Sequence, residues 1–138
     1  MRPRYRRAGL GQSVEGQKQV SACACGNSYD LCIQQGATFR RVITWKAGGA
    51  AVNLTGYTAR MQIRATAEAA TSLIELTTAN NRIALGGTAG TITLTISAAD
   101  TAALTAGRAV YDLELVAPDA TVTCLLGGVV TIPRNITR

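Results

Sequence analysis

The sequence contains no histidine, few aromatic residues and few acidic residues. Without imidazole, the chain cannot build a Ser-His-Asp or Cys-His nucleophile, a His-ligated zinc site or a histidine acid–base catalyst. Eight carboxylates and 4% aromatic residues remain among 138 residues. We therefore expect a protein that is not an enzyme and has no cofactor and no metal centre. Its core must consist mainly of Val, Ile, Leu and Ala.

The sequence also lacks the segments that direct a chain to a membrane. No run approaches the roughly 20 apolar residues that a membrane span requires. The N-terminus has positive charges but not the apolar stretch of a signal peptide. We expect no membrane partner and no export signal. The length suits one domain.

Thr, Ala and Gly are abundant, and apolar residues alternate with polar ones. In residues 57–64 one face carries Tyr57, Ala59, Met61 and Ile63, which is typical of a strand with one buried face. The predicted strands are 31–34, 38–46, 57–64, 73–77, 82–85, 91–96, 108–116 and a last strand or strand pair at 121–126 and 129–132, split by Gly127 and Gly128. The apolar residues that share one face of their strand are Phe39, Ile43 and Trp45, then Ile92, Leu94 and Ile96, and then Ala109, Tyr111, Leu113 and Leu115. The pattern predicts an all-β fold, an antiparallel β-sandwich (Ig-like or a small barrel) of about seven or eight strands.

One short helix interrupts this series. Ser97 and Asp100 resemble the start of a capping box, so we predict a helix from Ala98 to about Leu104 that ends at Gly107. Pro133 is expected to stop the last strand.

Residues 1–28 have a different composition. They are polar and Gly-rich, without a period of 2 or 3.6, which predicts an extended basic, cysteine-containing arm in front of a β-sandwich domain at residues 29–138. The arm carries most of the net charge of +6. Its basic residues are Arg2, Arg4, Arg6, Arg7 and Lys18. Such an arm can bind nucleic acid or an acidic protein surface, or it can be a solvated tail.

Four cysteines are candidates for cross-linking: Cys23, Cys25, Cys32 and Cys124. An all-thiolate zinc site is a weak alternative, because the C-x-C spacing is not the paired C-x-x-C of zinc sites. Cys32 and Cys124 can also be small buried hydrophobic residues. Disulfides within the chain or to a neighbouring subunit explain the two arm cysteines best, and three intrachain connectivities are open.

A further set of arginines lies on the polar face of the strand at residues 57–64. Arg60 and Arg64 share this face, and Arg40 or Arg41 is expected nearby. We interpret the charges as protection of an edge strand, or alternatively as a docking surface.

Residues 29–39 resemble the opening D-L-x-I-x-Q-G-x-T-F of small structural proteins of tailed phages. Residues 52–64, 92–97 and 109–115 fit the same group, so the resemblance extends over residues 29–138. The chain is similar to the N-terminal β-sandwich domain of phage baseplate upper proteins and to cysteine-rich capsid decoration or linking proteins. The resemblance implies a β-sandwich without catalysis that is located in the virion.

Two departures from this pattern shape the expected function. Position 32 is Cys where the pattern has Thr or another strand former, and the arm is longer and more basic than the pattern requires. We expect a stand-alone subunit that decorates or cross-links the particle, with Cys23 or Cys25 in disulfides to a neighbour. Its partners would be the major or a minor capsid protein, or neck and tail proteins. The alternatives are a tail, neck or baseplate adaptor, and nucleic-acid binding through the arginine-rich arm.

Overall fold

The computed structural model describes the backbone of residues 12–14 and all of residues 27–137. Within these residues the chain forms eleven strands, one short α-helix and one 3-10 turn. The strands are β1 (Gln12–Val14), β2 (Asn27–Ser28), β3 (Leu31–Cys32), β4 (Phe39–Ala47), β5 (Ala50–Ala51), β6 (Thr58–Arg64), β7 (Ile74–Thr77), β8 (Ile83–Leu85), β9 (Thr91–Ile96), β10 (Gly107–Val116) and β11 (Val122–Ile132). The α-helix α1 is Ala98–Ala102, and the 3-10 turn is Gly87–Ala89.

The strands build two sheets, and the fold is an all-β sandwich. Sheet one has the order β1-β4-β9-β8, with β5 also beside β4. Sheet two has the order β2-β11-β10-β6-β7, with β3 also beside β11. All pairs are antiparallel except β2 and β3, which run parallel to β11. The predicted fold class is therefore confirmed, while the parallel pairs depart from a purely antiparallel sandwich.

The core lies between the two sheets, and alternate residues of each strand enter it. Ala59, Met61 and Ile63 of β6 are buried, as the alternating pattern predicts. The same holds for the alternating inward positions of β4, β9 and β10, apart from the half-buried Arg41. Trp45 packs edge-on against Tyr57, with 6.2 Å between ring centroids. Burial of these aliphatic side chains is the main stabilising term of the fold.

Two elements differ from the sequence-based predictions. The helix ends at Ala102 rather than near Leu104, and Gly107 begins β10 instead of ending the helix. Its start is as predicted, since the Ser97 side chain accepts a hydrogen bond from the Asp100 backbone N–H. The last element, predicted as one strand or a strand pair, is one continuous strand, because Gly127 and Gly128 remain paired with β10.

The connections follow their turn residues. Asn81 has a φ of 66°, a left-handed conformation that asparagine tolerates well. Pro118 and Asp119 form the turn between β10 and β11, and β11 ends directly before Pro133. Among the residues described, no helix is long and apolar enough to cross a membrane.

Candidate docking site at the root of the arm

Residues 27–35, here called the arm root, join the arm to the sandwich along the edge of β11. Asn27 and Ser28 pair with β11 in β2, and Leu31 and Cys32 pair with it in β3. Further backbone N–H groups donate to β11 and the residue after it: Tyr29 to Gly127 O at 3.0 Å, Ile33 to Thr131 O at 2.9 Å and Gln35 to Pro133 O at 3.1 Å. The root is thus held along its whole length by backbone hydrogen bonds.

Side chains of the arm root strengthen this attachment. Leu31 and Ile33 are buried in the core, at 3% and 0% exposure. Asp30 points the other way, and its carboxylate accepts a hydrogen bond from the Val129 N–H at 3.0 Å. Successive residues therefore alternate between core and surface, as they do in any strand with one buried face.

Gly128 allows the arm root to approach β11 this closely. A Cβ atom at Gly128 would lie 2.7 Å from the Tyr29 carbonyl oxygen and 2.8 Å from the Asp30 carboxylate. Both distances are shorter than real Cβ contacts, so any larger residue would displace the root. Gly127 and Gly128 were predicted to split the last strand. Instead β11 continues through them, and Gly128 leaves the space into which the root packs.

Tyr29 connects the arm root to both sheets. The Tyr111 hydroxyl of β10 donates to the Tyr29 carbonyl oxygen at 2.5 Å. The Arg41 guanidinium of β4 donates to the Tyr29 hydroxyl and lies over the rings of Tyr29 and Phe39, at 5.7 and 5.6 Å from their centroids. These contacts link sheet one to sheet two through the root.

Burial also determines the protonation state of the Tyr111 phenol. Desolvation raises the pKa of the Tyr111 phenol well above its usual range, and the nearby Tyr29 and Asp30 raise it further. The phenol is therefore neutral over the physiological range and remains a hydrogen-bond donor to Tyr29.

The C-terminal side of the arm root is fixed by polar side chains. The Gln35 amide nitrogen donates to Leu104 O at 2.7 Å, and its oxygen accepts from the Asn135 N–H at 3.0 Å. The buried Thr101 hydroxyl donates to Ala37 O and accepts from the Gly36 N–H. Helix α1 and the segment after β11 thereby hold the turn that leads into β4.

The described cysteines occupy different environments. Cys32 lies in the arm root and is free and exposed, so its interpretation as a small buried residue is wrong. Cys124 of β11 is half-buried, and its sulfur is 4.0 Å from the Leu126 carbonyl oxygen. Cys32 and Cys124 are not joined to each other. Cys23 and Cys25 lie outside the described residues, as do Arg2, Arg4, Arg6, Arg7 and Lys18.

The arginines of β6 do not protect an edge strand. β6 lies between β10 and β7, so it has a neighbour on each side. Arg60 forms an ion pair with Glu114 at 2.7 Å. Arg64 donates to Ala69 O and to the Gln62 side chain. Arg40 and Arg41 lie on β4 of sheet one, whereas Arg60 and Arg64 lie on β6 of sheet two.

The sequence did not indicate that Arg41 and Tyr111 hold the root through Tyr29. Arg41 stands in the register of the inward-facing residues of β4, and a charged residue at such a position signals a specific partner. Tyr111 was correctly placed on the inner face, but its partner could not be read from the sequence. The contact depends on the parallel pairing of the root with β11.

The residues that the structure describes contain no cluster of three or more His, Cys, Asp or Glu side chains that could hold a metal ion. No protein-family model matches the chain, and no curated protein matches it. The candidate site is therefore defined by its geometry, a strand-like root that fastens the arm to the sandwich.

Proposed function

We propose that the protein is a non-enzymatic structural subunit of a tailed-phage virion, where it decorates or cross-links the particle. The sandwich docks on a shell or neck protein, and the arm reaches a neighbouring subunit. Two features support this proposal. Residues 29–138 resemble small phage structural proteins, and backbone hydrogen bonds attach the arm root to the sandwich along its whole length.

The attachment of the arm root is the observation that favours this function most. The root runs parallel to β11 and bonds to it from Asn27 to Gln35. Detaching the root from the sandwich therefore requires breaking these backbone hydrogen bonds along its whole length. The buried Leu31 and Ile33 side chains add apolar contacts that must also break.

Thiol chemistry would make the arm contact permanent. Cys23 or Cys25 forms a disulfide with a cysteine of a neighbouring subunit, and the exposed Cys32 is a third accessible thiol. Each bond removes two hydrogen atoms from two thiols and transfers them to an oxidant such as dioxygen. Disulfides persist outside the reducing cytosol, where a released particle is found.

Electrophoresis of intact particles with and without reductant tests the cross-linking. We expect covalent adducts without reductant that disappear in a Cys23→Ser, Cys25→Ser double variant. The comparison variant is Cys32→Ser, which removes the free, exposed thiol of the arm root and leaves both arm cysteines in place, so the adducts should persist. A chain that migrates as a monomer without reductant in every case contradicts the cross-linking role.

Copy number separates the capsid role from the alternative of a tail, neck or baseplate adaptor. A high copy number that follows the capsid lattice supports decoration, whereas a low number that follows the rotational symmetry of the tail supports the adaptor. Quantitative mass spectrometry of purified particles measures it. Absence of the chain from the particle contradicts both roles.

The arginines of the arm favour a second candidate, nucleic-acid binding. Replacing Arg2, Arg4, Arg6 and Arg7 with Ser, which leaves strand β1 in place, should then abolish a DNA affinity that falls steeply with salt concentration. An unchanged, weak affinity after these substitutions removes this candidate.

A further inference from the structure

Strand β4 has one edge that is mostly unpaired among the described residues. On one side β4 pairs with β9, and Trp45 donates to Gly90 O and accepts from the Val52 N–H on that side. On the other side β1 pairs only with residues 45–47. Because neighbouring residues of a strand bond to opposite sides, the N–H and C=O groups of Arg40, Val42 and Thr44 point to this open edge.

The opposite edge of the sandwich is closed by side chains. At β7 the Thr77 N–H donates to the Asn80 side-chain oxygen at 2.9 Å. The Glu75 carbonyl oxygen accepts from the Asn80 amide at 3.0 Å and from Arg82 at 3.1 Å. Local side chains thus occupy the outward groups of β7. No comparable caps are found at residues 40–44 of β4 in the described part of the chain.

The side chains at the open edge suit pairing with an identical strand. Val42 is at the centre and is 45% exposed, which makes it one of the few exposed large apolar residues described. Arg40 and Thr44 flank it symmetrically. An antiparallel pair about a twofold axis at Val42 places Val42 opposite Val42 and Arg40 opposite Thr44 of the second copy.

Other twofold registers are less favourable. Centring the pair on Arg40 would place two arginines directly opposite each other, which is destabilising. Centring it on Thr44 would place Val42 opposite Lys46, where β1 already occupies the edge. Of these three registers, the one at Val42 combines a β-branched self-pair, no opposed like charges and backbone groups that no described strand occupies.

We propose that the open edge of β4 binds the same edge of a second copy of this chain, in the register centred on Val42. The two copies of sheet one then form a continuous sheet across the interface. The contact is small, so isolated chains associate weakly, and the effective concentration within an assembly strengthens it. This inference goes beyond the proposed function and does not depend on it.

Charge swapping at Val42 tests the register directly. Sedimentation velocity of the full chain over a wide concentration range should show a monomer–dimer equilibrium. Val42→Lys and Val42→Glu should each weaken self-association by about tenfold or more, because like charges would meet at the twofold axis. An equimolar mixture of the two variants should restore dimers, since Lys would then face Glu.

Val122→Lys is the matched control, because Val122 is a similarly exposed valine, at 49%, on β11 of sheet two. It should leave the wild-type association unchanged. Circular dichroism establishes that each variant is folded. A monomeric wild type, or a mixture of Val42→Lys and Val42→Glu that remains monomeric, overturns the proposal. So does a Val122→Lys variant that weakens association as much as Val42→Lys.

Discussion

The edges of β11 and β4 offer a direct comparison within one sandwich. At β11 the arm root supplies parallel backbone pairing, buried side chains and the Asp30 carboxylate. At the outer edge of β4, on the side away from β9, the described chain supplies only the three-residue strand β1, and residues 40–44 have no described strand on that side. The Arg41 side chain of β4 nevertheless reaches the root at Tyr29.

The edge of β11 is thus a structural attachment within the chain, whereas the outer edge of β4 can bind a partner. A sheet edge covered by its own chain has no free backbone groups for a partner, whereas an open edge offers a row of them. We therefore expect substitutions at the root to change the free energy of unfolding. Substitutions at the open edge should mainly change association.

Truncation of the buried residue at the end of the root should have the largest effect. Ile33 is fully buried, so Ile33→Ala leaves a cavity between the sheets and loosens the root. We expect a loss of about 3 kcal/mol in the free energy of unfolding, measured by urea denaturation. The matched control is Ile136→Ala, because Ile136 is 89% exposed and its loss should change stability by less than about 0.5 kcal/mol. Equal effects of the two variants would show that the root is not anchored through the core.

A steric clash at Gly128, where the root packs against β11, should cause the second-largest loss of stability. Gly128→Ala introduces a methyl group into the space taken by the Tyr29 carbonyl oxygen and the Asp30 carboxylate. We expect a loss of about 2 kcal/mol and faster hydrogen exchange at the Ile33 amide, because the root must move outward. The second variant Gly128→Ala, Asp30→Ala removes one of the two clashes and should recover part of the loss. Unchanged exchange at Ile33 would contradict the close approach.

The alternating pattern was sufficient to predict the sheets but not their edges. Every apolar position assigned inward in β6, β9 and β10 is buried or half-buried, because successive side chains of a strand point to opposite faces of the sheet. Pairing partners depend on contacts that are distant in sequence. The sequence therefore predicted a short strand at residues 31–34 without indicating its partner, and it predicted that Gly127 and Gly128 interrupt the last strand.

The candidate site was predicted only in part for the same reason. Cys32 was named as a candidate for cross-linking, but its exposure depends on the position of β3 beside β11. Arg60 and Arg64 were assigned to the correct face, yet β6 is an inner strand. Charge on one face of a strand does not indicate whether that strand has one neighbour or two.

Removal of the hydroxyl that holds the root should have a smaller effect that depends on pH. Tyr111→Phe deletes the donor to the Tyr29 carbonyl oxygen, and we expect a loss of about 1 kcal/mol near neutral pH. Because burial raises the pKa of Tyr111, the folded state keeps the phenol proton to higher pH than the unfolded state does. Stability from this group is therefore complete below the ordinary tyrosine pKa of about 10 and decreases as pH rises above it.

Urea denaturation at a series of pH values measures this dependence. The wild type should lose stability above about pH 10 more steeply than Tyr111→Phe, so the two stabilities converge. Tyr57→Phe is the control, because it deletes the hydroxyl of a half-buried tyrosine that lies in the connection between β5 and β6. If wild type and Tyr111→Phe remain parallel across the alkaline range, the Tyr111 phenol does not support the root in its neutral form.

The smallest effect on stability is expected at the open edge itself. Val42→Thr retains a β-branched side chain at an exposed position whose backbone groups point away from β9. The free energy of unfolding should change by less than about 0.5 kcal/mol in urea denaturation. The same substitution at the buried neighbour, Ile43→Thr, should cost about 2 kcal/mol or more, because a hydroxyl would enter the core without a partner. A large loss in Val42→Thr would mean that this edge is covered by the chain's own residues, and the contrast between an occupied edge at β11 and an available edge at β4 would fail.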